Sequence, residues 1–349
     1  FENPSQKGFT LKGSGRLPRP AASRRGQLLT TGGRTPACAA RRPLTRRARV
    51  PIIPQLYSLQ GFLYGSTLLL CGPRVALGWG IILRQTPPGG GVARGVAVQI
   101  TFWGVRGSTP AFEHDQWRYG GNTPCVEIRG GNSLVILDAG TGIRELGRQL
   151  QATSPSPGLS THILLTHYHW DHIQGLPYFE PLYTYGNTVH IYGPHPQSRL
   201  ALSLRETVES LFQPPFFPVA PAALHAHCDY RELREESFAL DDLTITARRL
   251  NHPQGCFGYR LEASASSVVY ATDNEAGFPD FDRALRELAW NADVVICDAH
   301  FLSTALETQH RGWGHCSWAD AVRIAREANA KNLVLFHYEP SRKDAEVDA

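Results

Sequence analysis

Residues 166–175 read THYHWDHIQG, placing three histidines and an aspartate within six positions directly after the apolar run Ile163, Leu164 and Leu165. One histidine at the end of a strand needs no special account. Four metal-type donors spaced as HxHxDH do, and the rest of the chain has to supply their partners. In an extended segment His167 and His169 point the same way and can share one ion. Asp171 and His172 then turn off toward a second ion one step further along. Imidazole nitrogen and carboxylate oxygen suit zinc and similar divalent ions, with no cysteine needed.

From Val98 onward the chain is built of short apolar runs broken by Gly, Pro and Asn, which read as strands. Strands are expected at 98–105, 124–128, 133–140, 162–167, 188–194, 243–250, 256–263, 267–273, 293–299 and 332–337. Helical periodicity marks 143–150, 196–212, 281–290 and 318–329. This order suits two sheets packed face to face with helices outside. Further donors then fall at strand ends. His252 follows the strand ending at Leu250, Asp273 ends SVVYAT, Asp298 ends DVVIC and His337 ends NLVLF. Any one of them alone reads as a capped strand end or a satisfied buried residue. Taken with HxHxDH they place metal-type donors on one rim of the sheets, where a rigid scaffold positions catalytic groups, and imply a dinuclear site.

Composition divides the chain. Residues 1–97 hold 15 Lys+Arg and one acid, Glu2. With totals of 35 and 31, residues 98–349 hold 35 − 15 = 20 basic and 31 − 1 = 30 acidic residues, so the formal charge is +14 before the seam and −10 after it. The Arg-, Gly- and Pro-rich arm cannot bury enough apolar area to order itself and is expected to be largely disordered. The apolar stretch 56–83 is too interrupted for a membrane span, which needs ~20 mostly apolar residues. It also lies too deep for a secretory signal. The chain has no methionine and starts at Phe1, so 1–97 reads in part as a gene-calling extension. The expected domains are this basic arm and a hydrolase domain over 98–349. Seven cysteines without regular spacing point to reduced, cytoplasmic usage rather than a disulfide framework.

The HxHxDH loop with later His, Asp and His at strand ends resembles the metallo-β-lactamase superfamily, over roughly 98–340. The segments HPQGCFGYRLE (252–262), VYATDNE (269–275), VVICDAHF (294–301) and GWGHCSW (312–318) narrow the resemblance to its phosphodiesterase branch. That branch includes ribonuclease Z, PhnP-like enzymes and bacterial cyclic-nucleotide phosphodiesterases. FWGVRGSTP (102–110) and LDAGTGIRELG (137–147) resemble a bacterial subgroup of it. The resemblance implies a four-layer αβ/βα sandwich and two divalent ions, Zn2+ with Mn2+ or Fe2+ as alternatives. His167, His169 and His252 would hold the first ion; Asp171, His172 and His337 would hold the second, with Asp273 bridging. Asp138 is similar to a carboxylate that orients the histidine loop. His315 matches a histidine that stabilises the phosphate or protonates the leaving oxygen, and Asp298 takes the place of its usual Glu partner. A plain helix N-cap role for 315–317 is the competing reading.

Two ions holding a hydroxide serve phosphoryl and acyl hydrolysis alike. Asp at position 273, the His315–Asp298 pair and the GHxS match favour phosphodiesters. A charge of −10 on 98–349 argues against nucleic acid, whose binding is dominated by phosphate contacts. It favours a small or cyclic-nucleotide phosphodiester. The alternatives are an esterase, lactonase or thioesterase, or a ribonuclease Z-type nuclease that binds RNA through the basic arm. No membrane partner is expected, and a homodimer is compatible with the resemblance.

Overall fold

The computed structural model describes residues 98–153, 158–198, 201–263, 266–303 and 308–349, together with the backbone of Leu56–Ser58, Ser66–Cys71 and Trp79–Gln85. Two mixed sheets make up the architecture, one of eight strands and one of seven.

The eight-stranded sheet runs in the order β2 (Ser66–Cys71), β3 (Trp79–Gln85), β4 (Val98–Gly104), β5 (Cys125–Gly130), β6 (Ser133–Leu137), β7 (Ser160–Leu164), β8 (Thr188–Pro194), β9 (His227–Leu233). Its first pairings are antiparallel, and β6 through β9 are parallel. The seven-stranded sheet runs β1 (Leu56–Ser58), β15 (Asn332–Phe336), β14 (Val294–Asp298), β13 (Ser266–Ala271), β12 (Cys256–Ala263), β11 (Leu243–Leu250), β10 (Glu236–Leu240). Here β13, β14 and β15 are parallel to one another.

The helices are α1 (Ile143–Thr153), α2 (Trp170–Ile173), α3 (Leu204–Ser210), α4 (Pro279–Leu288), α5 (Trp318–Glu327) and α6 (Asp344–Asp348). One core cluster lies between the sheets and reaches the apolar faces of α4 and α5: Ile100, Ile128 and Val135 join Ile245, Tyr259, Val269, Leu285 and Ile324. A second covers the other face of the eight-stranded sheet, where Ile136 and Ile163 pack with Ile143, Leu146 and Leu150 of α1. Strands buried on both faces carry unbroken apolar runs, and β6 is buried at every position.

The expected strands from β4 to β8 and from β11 to β15 are present, with ends shifted by a few residues. Three differences have physical causes. The helix expected over 196–212 is confined to Leu204–Ser210. Ser203 and Glu206 form a capping box that starts it there. Strands β9 and β10 were not anticipated; HCDYREL and ESFAL alternate exposed and half-buried positions, a weak signal typical of strands near sheet edges. The apolar runs in 56–85 coincide with β1, β2 and β3, which pair with β15, with each other and with β4. The expectation of disorder for the rest of 1–97 falls outside the described residues. Cys125, Cys228, Cys256, Cys297 and Cys316 are free thiols. Among the described residues no helix is long and apolar enough to cross a membrane.

Candidate metal centre

The C-terminal ends of β6, β7, β11, β13, β14 and β15 deliver their next residues to one basin between the sheets. Three of those residues, Asp138, Asp273 and His337, have left-handed backbone, with φ of 60°, 54° and 59°. Asp and His are among the few side chains that tolerate this region. The kink turns each side chain off its strand and into the basin. His169 is extended at the N-cap of α2, so Asp171 and His172 fall in the helix's first turn and diverge from His167 and His169.

Two donor trios result. In the first, His167, His169 and His252 bring their ligand atoms within 4.8 Å of one another. His252 Nδ1 donates to the Gly314 carbonyl at 2.9 Å, and His169 Nε2 donates to Gln254 Oε1 at 2.7 Å. The remaining nitrogens, His252 Nε2 and His169 Nδ1, face each other at 3.1 Å. In neutral rings so tethered these are lone pair against lone pair, an arrangement that calls for a cation. His167 Nε2 is buried in the same place with no hydrogen-bond partner.

The second trio is Asp171, His172 and His337. The two Nε2 atoms lie 3.2 Å apart, and Asp171 Oδ2 is 3.2 Å from each. Asp273 stands between the trios. Its Oδ1 lies 3.9 and 3.8 Å from Nε2 of His167 and His252, and its Oδ2 lies 3.3 and 3.4 Å from Nε2 of His172 and His337. The donor set fits divalent cations on both sides of one bridging carboxylate.

Supporting contacts explain why the rings hold these poses. Asp138 is fully buried. It accepts His172 Nδ1 at 2.8 Å, Tyr270 Oη at 2.9 Å and the Thr166 amide at 2.8 Å. Thr166 Oγ1 in turn lies 3.0 Å from His167 Nδ1. One carboxylate thus orients histidines of both trios, as metal-binding imidazoles require. Ser108 donates its amide to Asp171 Oδ2 at 2.8 Å. Two glycines are demanded by close approach. A Cβ on Gly107 would lie 2.4 Å from His337 Nδ1, and one on Gly314, already at φ +85°, would lie 2.1 Å from His252 Nδ1.

Electrostatics separates the trios. Burial pushes His167 well below the usual histidine range and His252 down to about 4, with Asp273 opposing in both. Burial would also lower His172, but Asp171, Asp273 and Asp138 outweigh it and hold this ring well above its usual range. Burial alone would raise Asp171 and Asp273. Facing histidines, His172 first for Asp171 and His337 first for Asp273, hold both carboxyls below the usual range.

His315 and Asp298 lie beside the basin. His315 Nδ1 is 2.8 Å from Asp298 Oδ2, so the shorter acid does reach. Asp298 also accepts the Asp273 amide at 3.1 Å and the amides of His300 and Cys316 at 3.0 and 3.2 Å. The His315 ring sits 5.3 Å from that of His252 and 5.0 Å from that of His337. Ser317, rather than His315, caps α5.

Two residues at the site escaped the sequence reading. His300 stacks on His315 with ring centroids 4.4 Å apart and donates Nδ1–H to the His337 carbonyl at 3.0 Å. Burial, followed by its histidine neighbours, pushes it down to about 3. Glu275 Oε2 accepts the amides of Gly312 and Gly314 at 2.7 and 3.0 Å and so shapes the loop that carries His315. Both lie within the quoted motifs DAHF and TDNE, but nothing in their spacing marks them. In the segment QPPFFPV (213–219), Phe217 packs on the second core cluster while Phe216 is exposed; the neighbouring Phe212 is buried in that cluster.

A sandwich of two mixed sheets with this donor basin at the strand ends defines a metal-dependent hydrolase of the metallo-β-lactamase fold. The chain belongs to the beta-lactamase superfamily: residues 134–338 match the superfamily's domain model. An uncharacterized protein of Mycobacterium tuberculosis is 28% identical over 270 residues, covering 73% of this chain and 86% of the relative. Ribonuclease BN of Cronobacter sakazakii is 25% identical over 302 residues, covering 71% of this chain and 91% of the relative. Among solved structures, the short form of human tRNase Z superposes with a TM-score of 0.52 at 23% identity, over 69% of this chain and 92% of that one. The fold implies divalent metal ions, and the His and Asp groups described here could bind them.

Proposed function

We propose that this hydrolase cleaves a phosphodiester bond in a small substrate, a nucleotide or cyclic nucleotide in chemical class, with two divalent ions, zinc in the first instance. His167, His169 and His252 would hold one ion, Asp171, His172 and His337 the other, and Asp273 would bridge. Such ions, when bound, supply Lewis acidity and an activated water.

The observation that carries the reading is the His315–Asp298 pair at 2.8 Å, beside both trios. Burial would strip the proton from His315, but Asp298 outweighs it and keeps the imidazole above its usual range. A ring held protonated through Nδ1 can give the Nε2 proton to a departing alkoxide, the step general acid catalysis requires. Asp298 orients the ring and stabilises its charge; through the Asp273 amide it also ties this acid to the bridging carboxylate. An acyl hydrolase has less use for such a donor when its leaving group is already acidic. The excess of acids in 98–349 supports a small substrate over a polynucleotide, although one relative bears the name ribonuclease BN.

The test is hydrolysis of bis(p-nitrophenyl) phosphate beside a p-nitrophenyl acyl ester by the full chain, with chelator controls. Chelator-sensitive cleavage well in favour of the diester is expected. Preference for the acyl ester would overturn the reading. Replacing His169 or Asp171 with Ala should abolish turnover and lower bound metal while circular dichroism stays unchanged. Near-normal activity in both variants would remove the site assignment. Salt-sensitive RNA cleavage that disappears when 1–97 are deleted would favour the ribonuclease reading instead.

A further inference from the structure

A cavity of about 910 Å³ opens beside the donor basin, between residues 195–198, Ala201 and Ser203, the β9–β10 turn and the end of β11. Gln197 lines it and connects it to the metal centre. Its Nε2 donates to the Gln254 carbonyl at 2.9 Å, and Gln254 Oε1 is the group that takes the His169 proton at 2.7 Å. Arg249, another lining residue, stands three positions before His252 on the same strand end.

Charge makes the cavity unusual for this domain. From Val98 onward, every described Arg and Lys but three has an ion pair or a side-chain hydrogen bond among the described residues. The three are Arg234, Arg249 and Arg326, and the first two line this one cavity. Both are exposed. Glu236 pairs with Ala247, and Glu235 Oε1 accepts the Arg249 amide at 3.0 Å, so the turn carrying Arg234 lies across from Arg249.

The same wall carries three carboxylates, Glu206, Glu232 and Glu235, the last bound by the Arg249 amide. Glu232 accepts His195 Nδ1 at 2.7 Å and the Leu204 amide at 3.0 Å. Glu206 caps α3 through Ser203, whose amide and hydroxyl reach it at 2.8 and 2.7 Å. Those carboxylates keep their charge, but none forms an ion pair with Arg234 or Arg249 among the described residues, so the two guanidinium groups of this wall are left to meet an anion. Guanidinium is the side chain best suited to phosphate oxygens.

Resting on the phosphodiesterase reading, we infer that this cavity binds a second phosphate of the substrate, so that the preferred substrate carries a phosphate on the far side of the nucleoside from the scissile diester. Arg234 and Arg249 would grip that group, and Gln197 would form the wall between it and His169. A single-phosphate cyclic nucleotide would leave the cavity unused.

Two arms test this with the metal-loaded full chain. The first compares thymidine 5′-(p-nitrophenyl phosphate) with the same compound bearing a 3′-phosphate, alongside bis(p-nitrophenyl) phosphate. The 3′-phosphate should lower KM by about tenfold. R234A/R249A should erase that preference while leaving kcat and the turnover of bis(p-nitrophenyl) phosphate within about twofold. Equal KM values in the unaltered protein, or a preference that survives the double substitution, would overturn the inference. The second arm reads binding without turnover. By calorimetry, thymidine 3′,5′-bisphosphate should bind about tenfold more weakly to the double variant, with thymidine 5′-monophosphate unchanged; equal affinities for the bisphosphate would overturn it. If no diester is cleaved yet the bisphosphate depends on both arginines, the phosphodiesterase reading fails and the anion site stands.

Discussion

The two donor trios use similar side chains but are assembled by different forces. His167, His169 and His252 are braced by neutral groups: Thr166 Oγ1, Gln254 Oε1 and the Gly314 carbonyl. Burial keeps His167 and His252 neutral, in the form that binds metal, while the hydrogen bonds fix the pose of their rings. Asp171, His172 and His337 are instead held together by charge, with Asp138 and Asp273 completing a cluster of carboxylates around His172. Without metal that cluster can hold itself together as an ion pair; the first trio has only facing lone pairs. A cation therefore relieves a conflict on one side and displaces a proton on the other.

Asp273 is the carboxylate whose own oxygens face the ligand nitrogens of both trios, so its removal should have the largest effect. Asp273→Ala removes the bridging oxygens from both trios and leaves His172 without one of its counter-charges. Loss of all turnover and of most bound metal is expected, read by metal analysis of purified protein. Retention of both ions would show that the trios are independent and break the comparison. Next in size is Asp138→Ala. It orients His172 directly and His167 through Thr166, and contacts of this kind are worth ~10–100-fold in metal affinity. Since one carboxylate serves both sides, both ions should weaken together in a competitive chelator titration. Weakening of one ion alone would assign Asp138 to that trio.

Most of the donor set was legible because it sits at ends of strands whose apolar runs are easy to read. β7, β11, β13 and β15 carry largely buried apolar runs, and a donor follows each within three residues. The HxHxDH spacing also marks the start of α2, since a helical turn separates Asp171 and His172 from the pair before them. What escaped detection has a different origin. β9 and β10 carry half-exposed alternation, in which Tyr230 stands between Asp229 and Arg231 and Phe238 follows Glu236 and Ser237. The helix expected from 196 is cut short because a local cap at Ser203 outweighs the amphipathic pattern ahead of it. His300 and Glu275 are placed by loops, and loop geometry has no period from which a contact can be read. The cavity arginines escape for the same reason: that they form no ion pair among the described residues is a property of the assembled wall, not of their neighbours in sequence.

Gln254→Ala sharpens the comparison from the neutral side, with a smaller effect. It frees His169 Nε2 and with it the choice of which nitrogen carries the proton. His252 and His167 keep their own braces, so a loss of about tenfold in affinity for one ion only is expected, toward the low end for such contacts. Loss at both ions would mean that the trios share more than Asp273 and Asp138.

The smallest effect needs no substitution. In metal-free protein the imidazoles of His252 and His172 should titrate in opposite directions from an ordinary histidine. His252, held at about 4 by burial, should remain neutral from pH 7 down to roughly 5. His172, held up chiefly by Asp171, should still be protonated at pH 7. The linkage signs follow. A histidine with a lowered folded pKa takes up its proton more readily when unfolded, so between about 6.5 and 4 falling pH removes stability through His252. A raised one contributes stability that is fully present below about 6.5 and fades as pH rises through its folded pKa. Nitrogen-15 NMR of the ring nitrogens between pH 5 and 9 reads both rings separately. If His172 titrates like a free histidine while Asp171 is intact, the charged trio is not held by its ion pairs, and the contrast between the two sides reduces to burial alone.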